Sequence, residues 1–406
     1  MMEHKKKREI FITRDGVWSF FVALFFTICL NPDWNQSRLF WYGSIALLAV
    51  VYLITYNGRF LFKNMDFLIW FVALLGLCLL SLLWCLSVSP AMEIVKTLIV
   101  LLLVFSLLQF SVNFGFDLDK IVMCLFAAVL INMIYVVGTI DLAALGETQL
   151  GVELLEGWNG NAIGFMAAEG ALAGFYMLGK SKDRLFKLLL LAAIAFLSIM
   201  TVYTGSRTAF VVLVGGFILY ICIKNPTKLA RNLLIAALLL FGAFYLMMNV
   251  ESLYNVLGSR FEGLFALFGG GGEVDSSASI RDTFIENGVK WFSENPLLGY
   301  GINNYKVLNE GATGRFTYAH NTFIEIAVNL GLVGLFFYYT VYVKLAVRLW
   351  KRAKNNPLNA FLLASLLISL ISQYGTVSYY GLYQNLLLFL CFAAIRRTKR
   401  KSELTL

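Results

Sequence analysis

Groups able to move a proton or hold a phosphate at neutral pH are scarce in this chain, and they fall at four places. The first is Ala319-His320-Asn321-Thr322-Phe323-Ile324-Glu325, where a histidine opens an apolar run. The chain has two histidines, and the other, His4, lies in a basic amino-terminal tail. His320 is therefore the imidazole expected in the folded part, and imidazole is the side chain best suited to accept a proton near neutrality. Asn321, Glu325 and Asn329 follow at fourfold spacing, which puts a polar stripe on one helix face. The second place is Thr204-Gly205-Ser206-Arg207, where glycine permits a sharp turn and the guanidinium fork suits bidentate binding of a phosphate. Arg281 in Ser279-Ile280-Arg281-Asp282 is the third, and Asn159-Gly160-Asn161 the fourth.

Each group also has an ordinary account when taken singly. Arg207 can snorkel to lipid headgroups. Arg281 can pair with Asp282 or Glu286, an exposed contact worth little. A lone histidine at a helix start is commonly bonded to a carbonyl. Glu169, a further acid inside an apolar run, is expected to pair with one of these arginines. The polar stripe after His320 needs a cavity or a partner helix, because an ionised side chain in mid-membrane costs about 2.5–3.5 kcal/mol.

The elements that must position these groups are membrane helices. Of 406 residues, 59% are hydrophobic and 14% charged, and the apolar residues fall in blocks of about 17 to 25, enough to cross a bilayer as a helix. Spans are expected at 15–30, 39–56, 66–86, 94–110, 121–140, 161–179, 185–203, 208–223, 229–248, 320–346, 358–374 and 381–395, about 12 in an all-α integral membrane protein. The net charge of +9 comes from clusters between spans and at both ends: the amino-terminal tail, Arg59 with Lys63, Lys180 to Lys187, Lys224 to Arg231, Lys344 to Lys354, and Arg396 to Lys401. All fall on one side, which the positive-inside bias makes the cytoplasm, together with both termini, and which argues against a nucleic-acid groove. The other face then carries Asn31–Arg38, the acidic Asp141–Gly160 loop, Tyr203–Arg207, Glu251–Ala319 and Gln373–Gly381.

Three parts follow: a membrane domain over 1–248 with spans 1–9, a long helical extracytoplasmic loop over 249–319, and a membrane domain over 320–406 with spans 10–12 and a basic tail. In the loop, Gly269-Gly270-Gly271-Gly272 is a hinge. Ser279 to Asp282 reads as a capping box opening a short helix, with Ile280, Phe284, Gly288 and Trp291 on one face and Pro296 as the stop. This predicts an amphipathic lid lying on the outer membrane surface, followed by a turn at Leu297-Leu298-Gly299-Tyr300-Gly301.

Other chemistries find no motif. Asp117-Leu118-Asp119 has an acid-x-acid form but sits in a short cytoplasmic loop, and there is no HExxH. The six cysteines all lie in apolar blocks, so neither disulfides nor a cysteine metal site are expected. Cys29-Leu30-Asn31-Pro32-Asp33 offers no small-x-small cleavage site, which makes the first run a retained span.

Three stretches together resemble the O-antigen ligase and O-antigen polymerase superfamily: Thr204-Gly205-Ser206-Arg207-Thr208-Ala209; Arg281-Asp282 with Asn295-Pro296-Leu297-Leu298-Gly299-Tyr300-Gly301; and His320-Asn321-Thr322-Phe323 with Leu330-Gly331-Leu332-Val333-Gly334. The likeness covers about residues 160–345. It implies a bacterial inner-membrane glycosyltransferase of the GT-C type, needing no metal or other cofactor, that moves a glycan from an undecaprenyl-pyrophosphate donor to an acceptor hydroxyl on the extracytoplasmic side. By position, Arg207 and Arg281 would bind the pyrophosphate, and His320 would serve the acceptor or the leaving diphosphate. Asn321, Glu325, Ser206, Asn161 and Tyr300 are candidates for substrate contacts. Relatives often carry an acid where Asn329 stands.

The residues fit this chemistry, since arginines aimed at a leaving diphosphate stabilise the transition state preferentially, and displacement from the opposite face predicts inversion at the anomeric carbon. A polysaccharide polymerase is the first expectation. A ligase delivering polymer to lipid A core, protein or a wall polymer is the second, and a lipid-oligosaccharide flippase or other transporter the third. Expected partners are the lipid-linked donor, the acceptor glycan, membrane lipids and a chain-length regulator.

Overall fold

A computed structural model describes residues 13–35, 37–140, 159–259, 261–262 and 276–403. His4 and its basic tail, the loop over 141–158, the Gly269–Gly272 hinge and the Ser279 side chain lie outside the described residues.

The described chain is helical, with no strand among the described residues. Its main helices are α1 Arg14–Leu30, α2 Arg38–Thr55, α3 Asp66–Leu80, α4 Val88–Asn113, α5 Leu118–Thr139, α6 Gly160–Leu178, α7 Arg184–Tyr203, α8 Arg207–Lys224, α9 Leu229–Asn249, α10 Ser276–Glu294, α11 Tyr305–Thr313, α12 Thr322–Ala353, α13 Pro357–Ser372 and α14 Leu382–Glu403. Each expected span overlaps a helix, though residues 84–86 and 320–321 lie outside the helices. Seven of the described helices are long and apolar enough to cross a bilayer: Asp66–Leu83, Val88–Asn113, Leu118–Thr139, Arg184–Tyr203, Arg207–Lys224, Pro226–Asn249 and Thr322–Ala353. Three shorter apolar helices accompany them, Leu39–Thr55, Pro357–Ser372 and Leu382–Arg396. The protein is an integral membrane protein.

Charged contacts cluster at one end of the bundle. Lys120 reaches Asp15 at 2.7 Å, Lys180 pairs with Asp119, and Arg396 pairs with Asp66. Asp117 caps α5 through Asp119 N–H, and Tyr176 donates to Asp119 Oδ1 at 2.5 Å, so the acid-x-acid pair is spent on structure. Lys224 ends α8 next to this cluster, where a Cβ on Gly179 would meet its Nζ at 3.2 Å, and Arg207 begins the same helix, about 26 Å away at 1.5 Å per residue. The Arg207 corner therefore lies at the end opposite this charge cluster.

The outward segment is fastened where α12 breaks. Gly331 has φ +64 and ψ −160 inside an otherwise helical run, and a break in a membrane helix strands backbone groups that cost several kcal/mol each if left unpaired. The turn after Pro296 supplies partners. Tyr300 N–H donates to Val328 O and Gly301 N–H to Asn329 O, both at 2.9 Å, while Leu332 N–H donates to Pro296 O at 2.8 Å and Val333 N–H to Leu297 O at 3.3 Å. A Cβ on Gly331 would stand 2.2 Å from Leu297 O, so only glycine permits this approach. The corner between α3 and α4 holds the same turn from the other side: Ile302 N–H donates to Ser81 Oγ at 3.1 Å, Trp84 Nε1 to Leu298 O at 3.3 Å, and Asn303 Nδ2 to Pro90 O at 2.7 Å.

The lid expectation needs two corrections. The helix starts at Ser276, ahead of the proposed Ser279 cap. Its apolar face is also not left for the membrane surface. Phe284 and Trp291 are buried with Tyr305, Ala319 and Val328 in a small core of their own, and a Cβ on Gly288 would meet Ile324 Cγ2 at 2.2 Å. Burying two such aromatics against protein is worth about 1.5–3 kcal/mol each, so α10 is docked on α12. The break at Gly331 was not foreseen either; the expected 320–346 span is one helix from Thr322 to Ala353 interrupted there.

Gly331→Ala should lower the thermal midpoint of the detergent-solubilised protein by several degrees, because both the positive φ and the carbonyl contact oppose a side chain. Gly242→Ala, which meets nothing within 4 Å, is the control, and equal midpoints for the two variants would refute the pairing.

Candidate active site

His320 is held before α12 in a conformation that L-residues seldom adopt, at φ +52, a strain of about 1–3 kcal/mol. Its neighbours fix it on both sides. Ala319 N–H donates to Glu325 Oε2 at 2.8 Å, and Asn321 caps α12 by accepting from Ile324 N–H at 3.1 Å. Thr322 donates from its N–H to Gln373 O at 2.8 Å and from Oγ1 to Thr376 O at 2.6 Å. At roughly 0.5–1.5 kcal/mol for each hydrogen bond, these contacts together offset the strain.

The expected polar stripe is real, and its polar atoms are engaged within the protein. Glu325 is 0% exposed and is shared between Ala319 and Asn329, whose Nδ2 donates to Glu325 Oε1 at 3.2 Å. Asn329 Oδ1 in turn accepts from Tyr305 N–H at 2.8 Å. Asn321, Glu325 and Asn329 thus join the His320 turn, α12 and α11 into one unit.

The imidazole lies among aromatic rings. The Phe284 ring is nearly parallel to it with centroids 6.1 Å apart, and the Tyr318 ring sits at 4.2 Å. Tyr305 donates its hydroxyl to Phe284 O at 2.7 Å and so fixes that part of α10. Arg281 lies one turn before Phe284, and its positive charge acts on both His320 and Tyr318. Burial, and then Arg281, push the His320 imidazole down to about 4. The ring is therefore neutral at pH 7, with a lone pair free to take a proton.

Arg207 is positioned by a second corner. Gly205 has φ +63; Ser206 caps α8 by accepting from Ala209 N–H at 3.3 Å and donates its hydroxyl to Asn161 Oδ1 at 2.6 Å. The turn that receives Thr322 links the two corners. A Cβ on Gly375 would stand 3.0 Å from Thr208 Oγ1, and Gly375 is two residues beyond Gln373, at most about 7 Å of chain. The Arg281 charge thus acts on His320, and the Gly375 contact places the Arg207 and Asn161 corner at the same end, one short turn away.

Other expectations are placed as follows. The Tyr300 hydroxyl donates to Glu294 Oε2 at 3.1 Å, while its backbone pairs with α12. Glu169 does not pair with an outward arginine, because its carboxyl takes a hydrogen bond from Tyr383. The sequence reading missed Tyr318 and Tyr380. Burial raises the Tyr380 phenol, and the charges of Glu325, Tyr318 and Glu93 act on it. Tyr318 could have been picked out as an aromatic two residues before the histidine; Tyr380 comes from the far end of the chain and carried no local signal.

No curated protein matches the chain. Residues 192–339 match the model of a family described as O-antigen ligase, a segment running from α7 to just beyond the Gly331 break. Arg207, Arg281 and His320 all lie inside it; Asn161 and the residues of α4 lie outside.

The His320 shift has a sign that can be measured. An imidazole depressed from 6.5 to about 4 binds its proton more weakly in the folded state, so its contribution to stability is full above pH 6.5 and lost as pH falls from 6.5 towards 4. Thermal midpoints of the wild type should decline over that window, and His320→Gln should flatten the decline; parallel curves would contradict the burial of the ring beside Arg281.

Proposed function

With residues 192–339 placed in the O-antigen ligase family, we propose that the protein transfers a glycan from an undecaprenyl-pyrophosphate donor to a hydroxyl of an acceptor glycan on the extracytoplasmic face, extending a surface polysaccharide as a polymerase. The observation that carries this reading is the His320 ring, packed against Phe284 and Tyr318 and kept neutral by burial and by the Arg281 charge, at the end of the bundle that also holds Arg207. The same end lies opposite the Asp15, Asp66 and Asp119 ion pairs, in keeping with a charged cytoplasmic face that holds both termini across about twelve crossings. In this reading membrane parts over 1–248 and 320–406 flank the loop over 249–319.

In this mechanism Arg207 and Arg281 bind the diphosphate, whose charge grows as the anomeric C–O bond breaks, and arginines already in place stabilise that charge at little reorganisation cost. The acceptor hydroxyl oxygen attacks the anomeric carbon from the opposite face. The electron pair of the breaking bond leaves with the diphosphate, and the hydroxyl proton passes to His320. An imidazole at about 4 is a weak base, but the bound diphosphate offsets the Arg281 charge and raises its proton affinity as the reaction needs it. Holding donor and acceptor together supplies the rest of the rate. Asn321, Ser206, Asn161, Glu325 and Tyr300 shape the site in this reading, Asn321 and Glu325 by fixing the His320 turn. The polymer length would be set with a separate chain-length regulator.

The description of the matched family favours a second reading, delivery of finished polymer to another acceptor. Purified protein in bilayers with a lipid-linked single repeat separates the two: a ladder of products supports the polymerase, whereas extension only on adding a second acceptor supports the ligase. Arg207→Ala, Arg281→Ala and His320→Ala should each lower transfer at least about 100-fold, in keeping with the loss of one charge-stabilising donor or base, while the protein remains inserted. Wild-type rates in all three variants would refute this site, and a product with retained anomeric configuration would refute the single displacement.

A further inference from the structure

The helix that follows His320 does not run straight through the bundle. In one continuous helix Phe323 and Tyr339 would stand about 24 Å apart, yet their rings stack at 4.8 Å with an interplanar angle of 13°. A Cβ on Gly334 would likewise stand 3.2 Å from Ile326 Cγ2, although eight helical steps would separate the two by about 12 Å. The chain therefore reverses at Gly331, and a short limb over 322–330 lies beside a long limb over 332–353. The Pro296–Gly301 turn fixes the short limb at the Gly331 end; the opposite end, next to His320, needs a tie of its own.

Gln373 supplies that tie from a third helix. It is the C-cap of α13 and is 0% exposed. Its carbonyl accepts from Thr322 N–H at 2.8 Å, so the end of α13 and the start of α12 satisfy one another through two groups that helix termini otherwise leave unpaired. Its side chain faces the long limb: Oε1 accepts from the Tyr339 hydroxyl and Nε2 donates to the Tyr342 hydroxyl, both at 2.8 Å. Tyr342 and Tyr338, both buried, share a further hydrogen bond at 3.1 Å. Gln373 thus spans the reversal, with its main chain on one limb and its amide on the other.

The turn that Gln373 begins also reaches both corners of the site. Thr322 Oγ1 donates to Thr376 O and accepts from Ser378 N–H at 3.2 Å, two residues after His320, while Gly375 packs on Thr208, the neighbour of Arg207. We propose that Gln373 is a positioning residue for the transfer: seated between Tyr339 and Tyr342, its amide locks the His320 end of the short limb to the long limb and so sets where His320 stands relative to Arg207. The inference rests on the glycosyl-transfer reading and deepens it by naming what aligns the base with the diphosphate. Gln373 and Tyr342 lie beyond the matched residues 192–339, so this alignment is supplied by the following helix. A base must come within hydrogen-bond reach of the attacking hydroxyl, and a displacement of about 1 Å costs on the order of 100-fold in rate. Because Gln373 acts through the turn and not on the substrate, its loss falls on kcat and spares donor binding.

The test uses the full chain in bilayers, with the host's own lipid-diphosphate-linked repeat as donor and oligosaccharide released from its polymer as acceptor. Gln373→Met, which keeps the length of the side chain and removes both amide bonds, should lower kcat per inserted molecule by about 10- to 100-fold. Donor KM should stay within about twofold. Tyr339→Phe should lower kcat on its own and add nothing to Gln373→Met, because partners in one contact are not additive. If Gln373→Met fails to insert, Tyr339→Phe and Tyr342→Phe and their double variant carry the same measurement. Unchanged kcat in the variants of an active wild type, even with a lowered thermal midpoint, would show that the amide only packs and overturns the positioning role. A loss confined to donor KM, or additive losses in the double variant, overturns it as well, and each of these results leaves the transfer reading standing. A wild type that neither transfers nor hydrolyses the donor overturns both.

Discussion

The break at Gly331 is the constraint on which the rest of the outward face depends. A continuous helix there would satisfy its own backbone and offer nothing to the segment after Pro296. By interrupting α12, the chain frees Val328 O and Asn329 O on one side and Leu332 N–H and Val333 N–H on the other, and the Pro296–Gly301 turn takes up all four. Within a bilayer the alternative is unpaired backbone, so this pairing is enforced more strongly than a surface contact would be. Once the turn is fixed, α10 must return over α12, and the apolar face with Phe284 and Trp291 closes the gap.

That docking sets the electrostatics. The Arg281 charge acts on His320 because Phe284, one turn later, stacks near the imidazole and Tyr305 holds the Phe284 carbonyl. Bringing a cation and an imidazole together costs free energy if the imidazole is protonated, and burial adds to that cost, so both effects act in the same direction and keep the ring neutral. The polar stripe below it serves this arrangement. Glu325 and Asn329, buried and mutually bonded, hold the His320 turn and α11 in register with α12.

A division of labour along the chain accompanies this geometry. The segment from α7 to α12 carries both arginines and the histidine, while α6 contributes Asn161 at the Ser206 corner and the turn before α14 contributes Tyr380, on which Glu325 and Tyr318 act. The loop from Gln373 to Ser378 is the joint, touching Thr208 on one side and Thr322 on the other.

The sequence by itself determined the apolar blocks that became helices, because a bilayer demands runs of fixed length and composition. It also determined the location of basic residues at one end, and the identity of Arg207, Arg281 and His320 as the unusual groups, because charge and imidazole are scarce in such a chain. It could mark Asn321, Glu325 and Asn329 as a stripe by period alone. Only the tertiary structure decided what that stripe bonds to, that α10 spends its apolar face on α12, that Glu169 meets Tyr383, and that Tyr380 comes under the influence of Glu325 and Tyr318. Those outcomes depend on contacts between residues tens to hundreds of positions apart and on the break at Gly331, whose φ and unpaired backbone groups have meaning only once the Pro296–Gly301 turn lies across them.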